Sequence, residues 1–203
     1  MTSADTALSP ASDRSRQTVW HVSTRGELAP GTILEPRFWD KGRDHLLEVM
    51  RDALRSGELV LKAVLLADDV YAVRHRTTTK TDKALQEVVF EEIRQQSYPE
   101  RPSRFGTCFV FEDHAGAERF LREERDGKGN VYKCEADLTV AFRADMTHVS
   151  LADPHLPVRE QLERLTAQAH KYWAGKLIDS PWIELLVPAK VSVLEKYASP
   201  STG

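Results

Sequence analysis

Polar and apolar positions alternate most regularly between Val131 and Phe142, where Tyr132, Cys134, Ala136, Leu138, Val140 and Phe142 fall on one side. That two-residue period predicts a half-buried strand, and Asp145 to Leu151 is read as its hairpin partner. Shorter apolar runs rich in β-branched and aromatic residues predict strands at Thr18–Thr24, Thr107–Phe111, Trp182–Val187 and Lys190–Glu195, the last two parted by Pro188. Thr32–Leu34 reads as a short extended piece. A 3.6-residue period takes over at Asp82–Gln96 through Leu85, Val88, Val89 and Ile93, and at His114–Glu124 through Ala117, Phe120 and Leu121. It returns after Pro157, where Val158, Leu162, Leu165, Ala169 and Trp173 form one face and Gly175 closes the helix. Asp44–Arg55 carries the same spacing, with Gly57 just past its end. Glu58–Arg74 is apolar on all sides, so its period does not separate helix from strand; we read it as helix.

Met1–Gln17 is rich in Ser, Thr, Ala and Asp and poor in large apolar side chains, which predicts a disordered lead. Residues 198–203 read as a tail, leaving a single domain over 18–197. Helices and strands are segregated without regular βα alternation. The fold class expected is α+β, a mainly antiparallel or mixed sheet with flanking helices.

Two polar residues interrupt strands that should be half-buried. Glu184 stands in Trp182-Ile183-Glu184-Leu185-Leu186-Val187-Pro188, and His21 in Thr18-Val19-Trp20-His21-Val22-Ser23-Thr24. Burying an unpaired carboxylate is costly, so Glu184 either has a cationic partner, lies on a wet face, or serves a site.

The chain has 203 residues, 41% hydrophobic, with 28 basic and 31 acidic side chains for a net charge of -3. That balance argues against a nonspecific nucleic-acid surface, although Arg74–Lys80 is locally basic. Cys108 and Cys134 both lie in apolar strand-like segments and read as buried thiols in a reducing compartment. No Cys or His spacing suits a metal. No apolar leader or membrane-length run is present, so the expected location is the cytoplasm, with no membrane partner. Dinucleotide and P-loop glycine motifs, the Gly-x-Ser-x-Gly elbow and His-Glu-x-x-His are all absent.

His21 in a first strand followed by Leu28-Ala29-Pro30-Gly31-Thr32-Ile33-Leu34 resembles the opening of the ADP-ribosyltransferase fold, in its diphtheria-toxin and poly-ADP-ribose-polymerase-like branch. Cys108-Phe109-Val110-Phe111-Glu112-Asp113 with Ala115 and Ala117 is similar to the middle strand and short helix of those families, and Ile183–Pro188 to their last acidic strand. Glu87 to Phe111, with Pro99-x-x-Pro102-Ser103-Arg104 inside it, also looks like a bacterial subgroup of this fold. The resemblance spans about residues 18–195. It implies a split sheet and an NAD-dependent mono-ADP-ribosyltransferase that cleaves the nicotinamide–ribose bond. ADP-ribose would pass to a macromolecular acceptor, protein or nucleic acid, in the setting of a toxin with a cognate antitoxin or a phage-defence effector. The nearest alternative is an NAD glycohydrolase; a catalytically silent binding module on the same fold is the third.

By that resemblance a neutral His21 would donate to the adenosine-side ribose of NAD, the backbone of Val22 would hold the nicotinamide amide, and Phe109 or Phe111 would stack on nicotinamide. His21 and Glu184 would then face one cleft. Glu184 would stabilise the departing oxocarbenium-like centre, as fixed carboxylates do in glycoside hydrolysis. Arg104 would contact the NAD phosphates, or with Ser103 simply brace its loop. The chain departs from the family pattern in carrying Phe for the stacking Tyr and Val22 for the Gly after the strand His.

Overall fold

The computed structural model describes residues 16–24, 26–36, 82–149 and 158–197. The helices predicted at 44–55 and 58–74, the lead before residue 16 and the tail after 197 lie outside that set, as do the side chains of Leu85 and Val158. The described elements are β1 (Arg16–Ser23), β2 (Ile33–Leu34), α1 (Asp82–Ser97), β3 (Cys108–Phe111), α2 (His114–Arg125), β4 (Asn130–Asp137), β5 (Phe142–Asp145), α3 (Val158–Trp173), β6 (Ile183–Val187) and β7 (Val191–Tyr197).

The seven strands form one sheet in the order β2-β7-β4-β1-β3-β6-β5. Every ladder among them is antiparallel. With the three described helices this is an α+β fold, as expected. β1 starts at Arg16, two residues earlier than its apolar content suggests, because Arg16 and Gln17 continue the ladder to Asp137 and Ala136. Arg16 also pairs with Glu135 at 3.3 Å.

The long strand predicted over Val131–Phe142 is two strands. Asp137 accepts the Thr139 amide at 2.9 Å and its hydroxyl at 2.6 Å, a local turn that competes with the ladder and stops β4. Alternation survives the turn by chance of register, and Phe142 opens β5, which pairs with β6 rather than β4. Of the expected hairpin partner, Asp145–Leu151, the described part holds the end of β5 and a 3-10 turn at Met146–His148. Buried Asp145 accepts the amides of Thr147 (3.0 Å), Ile178 (3.1 Å) and Trp182 (3.1 Å), fixing the chain between α3 and β6. Those donors outweigh the burial that would raise its pKa and hold it below the usual carboxylate value.

Cross-strand register defines the two faces. Val19, Tyr132, Cys134, Val191, Val193, Cys108, Val110, Leu185 and Val187 share the first, packed with Leu28, Leu34 and Ala189. Phe109, Phe111, Glu184, Leu186, Phe142 and Ala144 share the second, under α1, α2 and α3 through Phe90, Ala117, Ala169, Tyr172 and Trp173. The predicted α1 and α3 faces match this core at Val88, Val89, Leu165, Ala169 and Trp173. Both cysteines are buried and unpaired with each other, and burial pushes the thiols up to about 11 at Cys108 and about 12 at Cys134. Among the described residues, no helix is long and apolar enough to cross a membrane.

The two halves of the sheet meet weakly. β1 pairs with β4 at every one of its eight residues but with β3 at one, Trp20 opposite Phe111. Beyond that pair the strands part, leaving a seam. At its far end β1 is held close to β4, where Gly129 lies so near that an added Cβ would stand 2.7 Å from the Ser23 carbonyl.

Candidate functional site

Glu184, at 2% exposure, has partners. Its carboxylate accepts from the Arg104 guanidinium and, at 2.7 Å, from the Tyr172 hydroxyl. Arg104 in turn forks onto Glu87 of α1 at 2.9 and 3.1 Å and donates to Tyr172 of α3. One guanidinium is thus shared by two carboxylates and a phenol at the junction of α1, α3, β6 and the turn Arg104–Gly106. Burial works against the charge of Arg104, but Glu184 and Glu87 outweigh it and hold its pKa well above the ordinary value. Burial pushes the Tyr172 hydroxyl well above its ordinary value, keeping it a donor.

The turn carrying Arg104 is fixed separately. Ser103 caps it, accepting the Phe105 amide at 3.2 Å and donating to Glu91 at 2.9 Å. Arg94 forks onto the same Glu91 at 3.0 and 2.7 Å. Glu87 and Glu91 are one helical turn apart on α1, so that helix grips the turn at two successive points. Phe109, half-buried, has its ring 4.8 Å from the Arg104 guanidinium. The aromatic face expected to receive nicotinamide already meets a protein cation. Phe111 is core, at 5.2 Å from Phe120 and 6.5 Å from Trp182 between ring centres.

The fold therefore brings together Ser103, Arg104, Phe109 and Glu184. It does not bring His21 to them. His21 lies opposite Tyr132, on the face of Val19 and Cys134, whereas Glu184 lies opposite Phe111 on the helical face. The two are one strand apart, across β3, but register sends their side chains to opposite sides of the sheet. The expectation that they line one cleft is corrected on that ground.

His21 instead occupies the seam. Its Nδ1 lies 3.0 Å from the Phe109 carbonyl. A carbonyl only accepts, so Nδ1 carries the proton, and in the neutral ring Nε2 is an acceptor rather than the ribose donor expected from the sequence. Burial lowers the His21 pKa, more than its bond to Phe109 raises it, and favours that neutral form. Because the Phe109 carbonyl points at β1, so do the backbone groups of Phe111, and its partner Trp20 returns them. Val22, two residues on, repeats the direction of Trp20, so its N–H and C=O point into the seam where the ladder has ended. The Val22 side chain packs on the helical face with Phe120 and Leu121.

Sequence reading missed Glu87 and Tyr172. Tyr172 was within reach: Leu165, Ala169, Tyr172 and Trp173 together make the buried stripe of α3. Glu87, on a half-buried helix flank, gave no comparable signal. Tyr132 and Trp173, expected as core, are fully buried; each uses its polar atom, Tyr132 accepting the Leu28 amide at 2.9 Å and Trp173 donating to the Phe90 carbonyl at 2.7 Å.

An α+β domain with an antiparallel sheet parted at one seam and a buried ionic cluster on its helical face is the class these features define. Within it, the chain belongs to the family DUF2441, a protein of unknown function, whose model matches residues 19–199. A comparison with curated proteins finds no match.

Proposed function

We propose that this domain is a nucleotide-binding module on an ADP-ribosyltransferase-like scaffold, taking NAD or a related ADP-ribosyl compound at the β1–β3 seam, without cleaving it. The observation that carries the reading is the seam itself: the ladder stops after one pair, and beyond it stand a neutral His21 with Nε2 as acceptor and the Val22 backbone. An acceptor nitrogen suits a ribose hydroxyl, and adjacent backbone N–H and C=O groups suit a carboxamide. Glu184 supports silence, because its carboxylate is engaged by Arg104 and Tyr172 beneath two helices. Arg104 is likewise engaged by protein carboxylates, which favours the bracing role over a phosphate contact. Its location in the cytoplasm is part of the same proposal, supported by two buried free thiols.

A second reading keeps the enzyme, a mono-ADP-ribosyltransferase acting on a macromolecular acceptor or an NAD glycohydrolase. It draws on the strand order, which leaves only β3 between the His21 and Glu184 strands. It requires the Arg104 cluster to open. A toxin with a cognate antitoxin belongs to this reading alone.

Titration of the protein with NAD, followed by calorimetry and by nicotinamide release, separates the two. The module binds NAD, loses roughly tenfold in affinity on His21→Ala (about 1.4 kcal/mol), and releases no nicotinamide above the buffer rate. Release abolished by Glu184→Gln establishes the enzyme instead. Absence of NAD and ADP-ribose binding removes both.

A further inference from the structure

Phe109 belongs to both regions. On the helical face its ring lies 4.8 Å from the Arg104 guanidinium. At the seam its carbonyl receives the His21 ring at 3.0 Å. The turn Arg104–Gly106 ends two residues before β3 begins, and it is fastened to α1 through Glu87 and Glu91.

We infer that Arg104 is a positioning residue for the seam: through Phe109 it orients the peptide that holds His21, so the seating of α1 is transmitted to the opposite face of the sheet. The inference specifies how the seam site is set and rests on that site's proposed role only for its consequence for binding. The physical basis is the shortness of β3. It has four residues, all paired to β6 but only one of them paired to β1, so the Phe109 carbonyl, which faces β1, is held there by no ladder bond. Arg104 supplies what the ladder lacks. Its planar fork engages Glu87 with two nitrogens and reaches Glu184 and Tyr172 with a third, leaving little freedom to move over the Phe109 ring. Lysine, a single ammonium on a flexible stem, cannot hold that arrangement. The His21 bond weakens steeply once the carbonyl turns away, and the ring is then no longer held in one tautomer.

Nitrogen-detected NMR of the His21 imidazole in the full chain, without nucleotide, tests this. In the parent the ring should be the Nδ1–H tautomer throughout the neutral range. In Arg104→Lys it should become a mixture of tautomers, with its titration midpoint lowered further, because the bond to the Phe109 carbonyl is what raises it. A folded Arg104→Lys protein with the parent tautomer and midpoint would overturn the inference. If that variant does not fold, Glu87→Gln, which keeps the shape of the side chain and removes one end of the fork, is read by the same two criteria. Failure of NAD to bind the parent removes the proposed ligand but leaves the His21 result intact, so the two outcomes are distinguishable.

Discussion

Strands β1, β4 and β7 are joined by long ladders, with eight residue pairs between β1 and β4 alone. Strands β3, β6 and β5 meet over four pairs at each junction, under helices and around a charged cluster. The first half places its chain by main-chain hydrogen bonds, which are insensitive to side-chain identity. The second uses a few long-range side-chain contacts, among them Arg104 to Glu184, 80 positions apart. Single substitutions should therefore damage the second half much more than the first, and the seam between them should register changes in both.

Arg104→Met carries the largest expected effect. It leaves the buried carboxylate of Glu184 and the half-buried one of Glu87 without the cation they share. A loss of about 3–5 kcal/mol is expected from breaking a buried charge cluster on one side, measured by urea denaturation. A loss under ~1 kcal/mol would mean that the second half is held by packing alone.

Glu184→Gln should cost less, about 1–2 kcal/mol, since the amide oxygen still accepts and Glu87 still balances Arg104. NAD affinity at the seam should not change. Thermal melting and nucleotide titration on the same variant check both statements, and a large fall in affinity with parental stability would reassign Glu184 to the ligand.

Tyr132→Phe samples the first half. It removes the acceptor of the Leu28 amide and should cost about 1 kcal/mol with little other consequence, because the eight-pair ladder beside it remains. A loss as large as that of Arg104→Met would erase the contrast between the halves.

The smallest effect is the pH dependence from His21. Its folded pKa lies below the unfolded value of 6.5, so the unfolded chain binds the proton more readily. Stability from this group is complete above 6.5 and falls as pH drops from there toward the lowered folded value. Melting curves across that window should be flatter for His21→Gln than for the parent.

The elements that were legible in the sequence are those whose period runs without interruption: β1, β3, β6, β7 and the three described helices. The β4–β5 boundary was hidden because an aspartate turn happens to preserve alternation on both sides of Asp137. Glu184 was conspicuous as an acid among apolar neighbours, and Ser103-Arg104 as a polar pair in a proline-rich loop. That they belong to one cluster was not legible, since periodicity is local and the pairing spans most of the domain. The faces of His21 and Glu184 were illegible for a related reason. Each strand's own alternation is readable, but the relative phase of two strands depends on the register of β3 between them.

Asp145 has a consequence for exchange with solvent deuterium. The segment from Lys176 to Pro181 is exposed, and such a connection would ordinarily exchange its amides within seconds of dilution. Yet Ile178 and Trp182 give their protons to a buried carboxylate at the end of β5, and the Trp182 carbonyl accepts the Met146 amide at 2.7 Å. Those two amides can open only when the β5 edge opens. They should be protected to the degree of β6, standing out as slow sites within a fast stretch, and Asp145→Ala should return them to the rate of their neighbours.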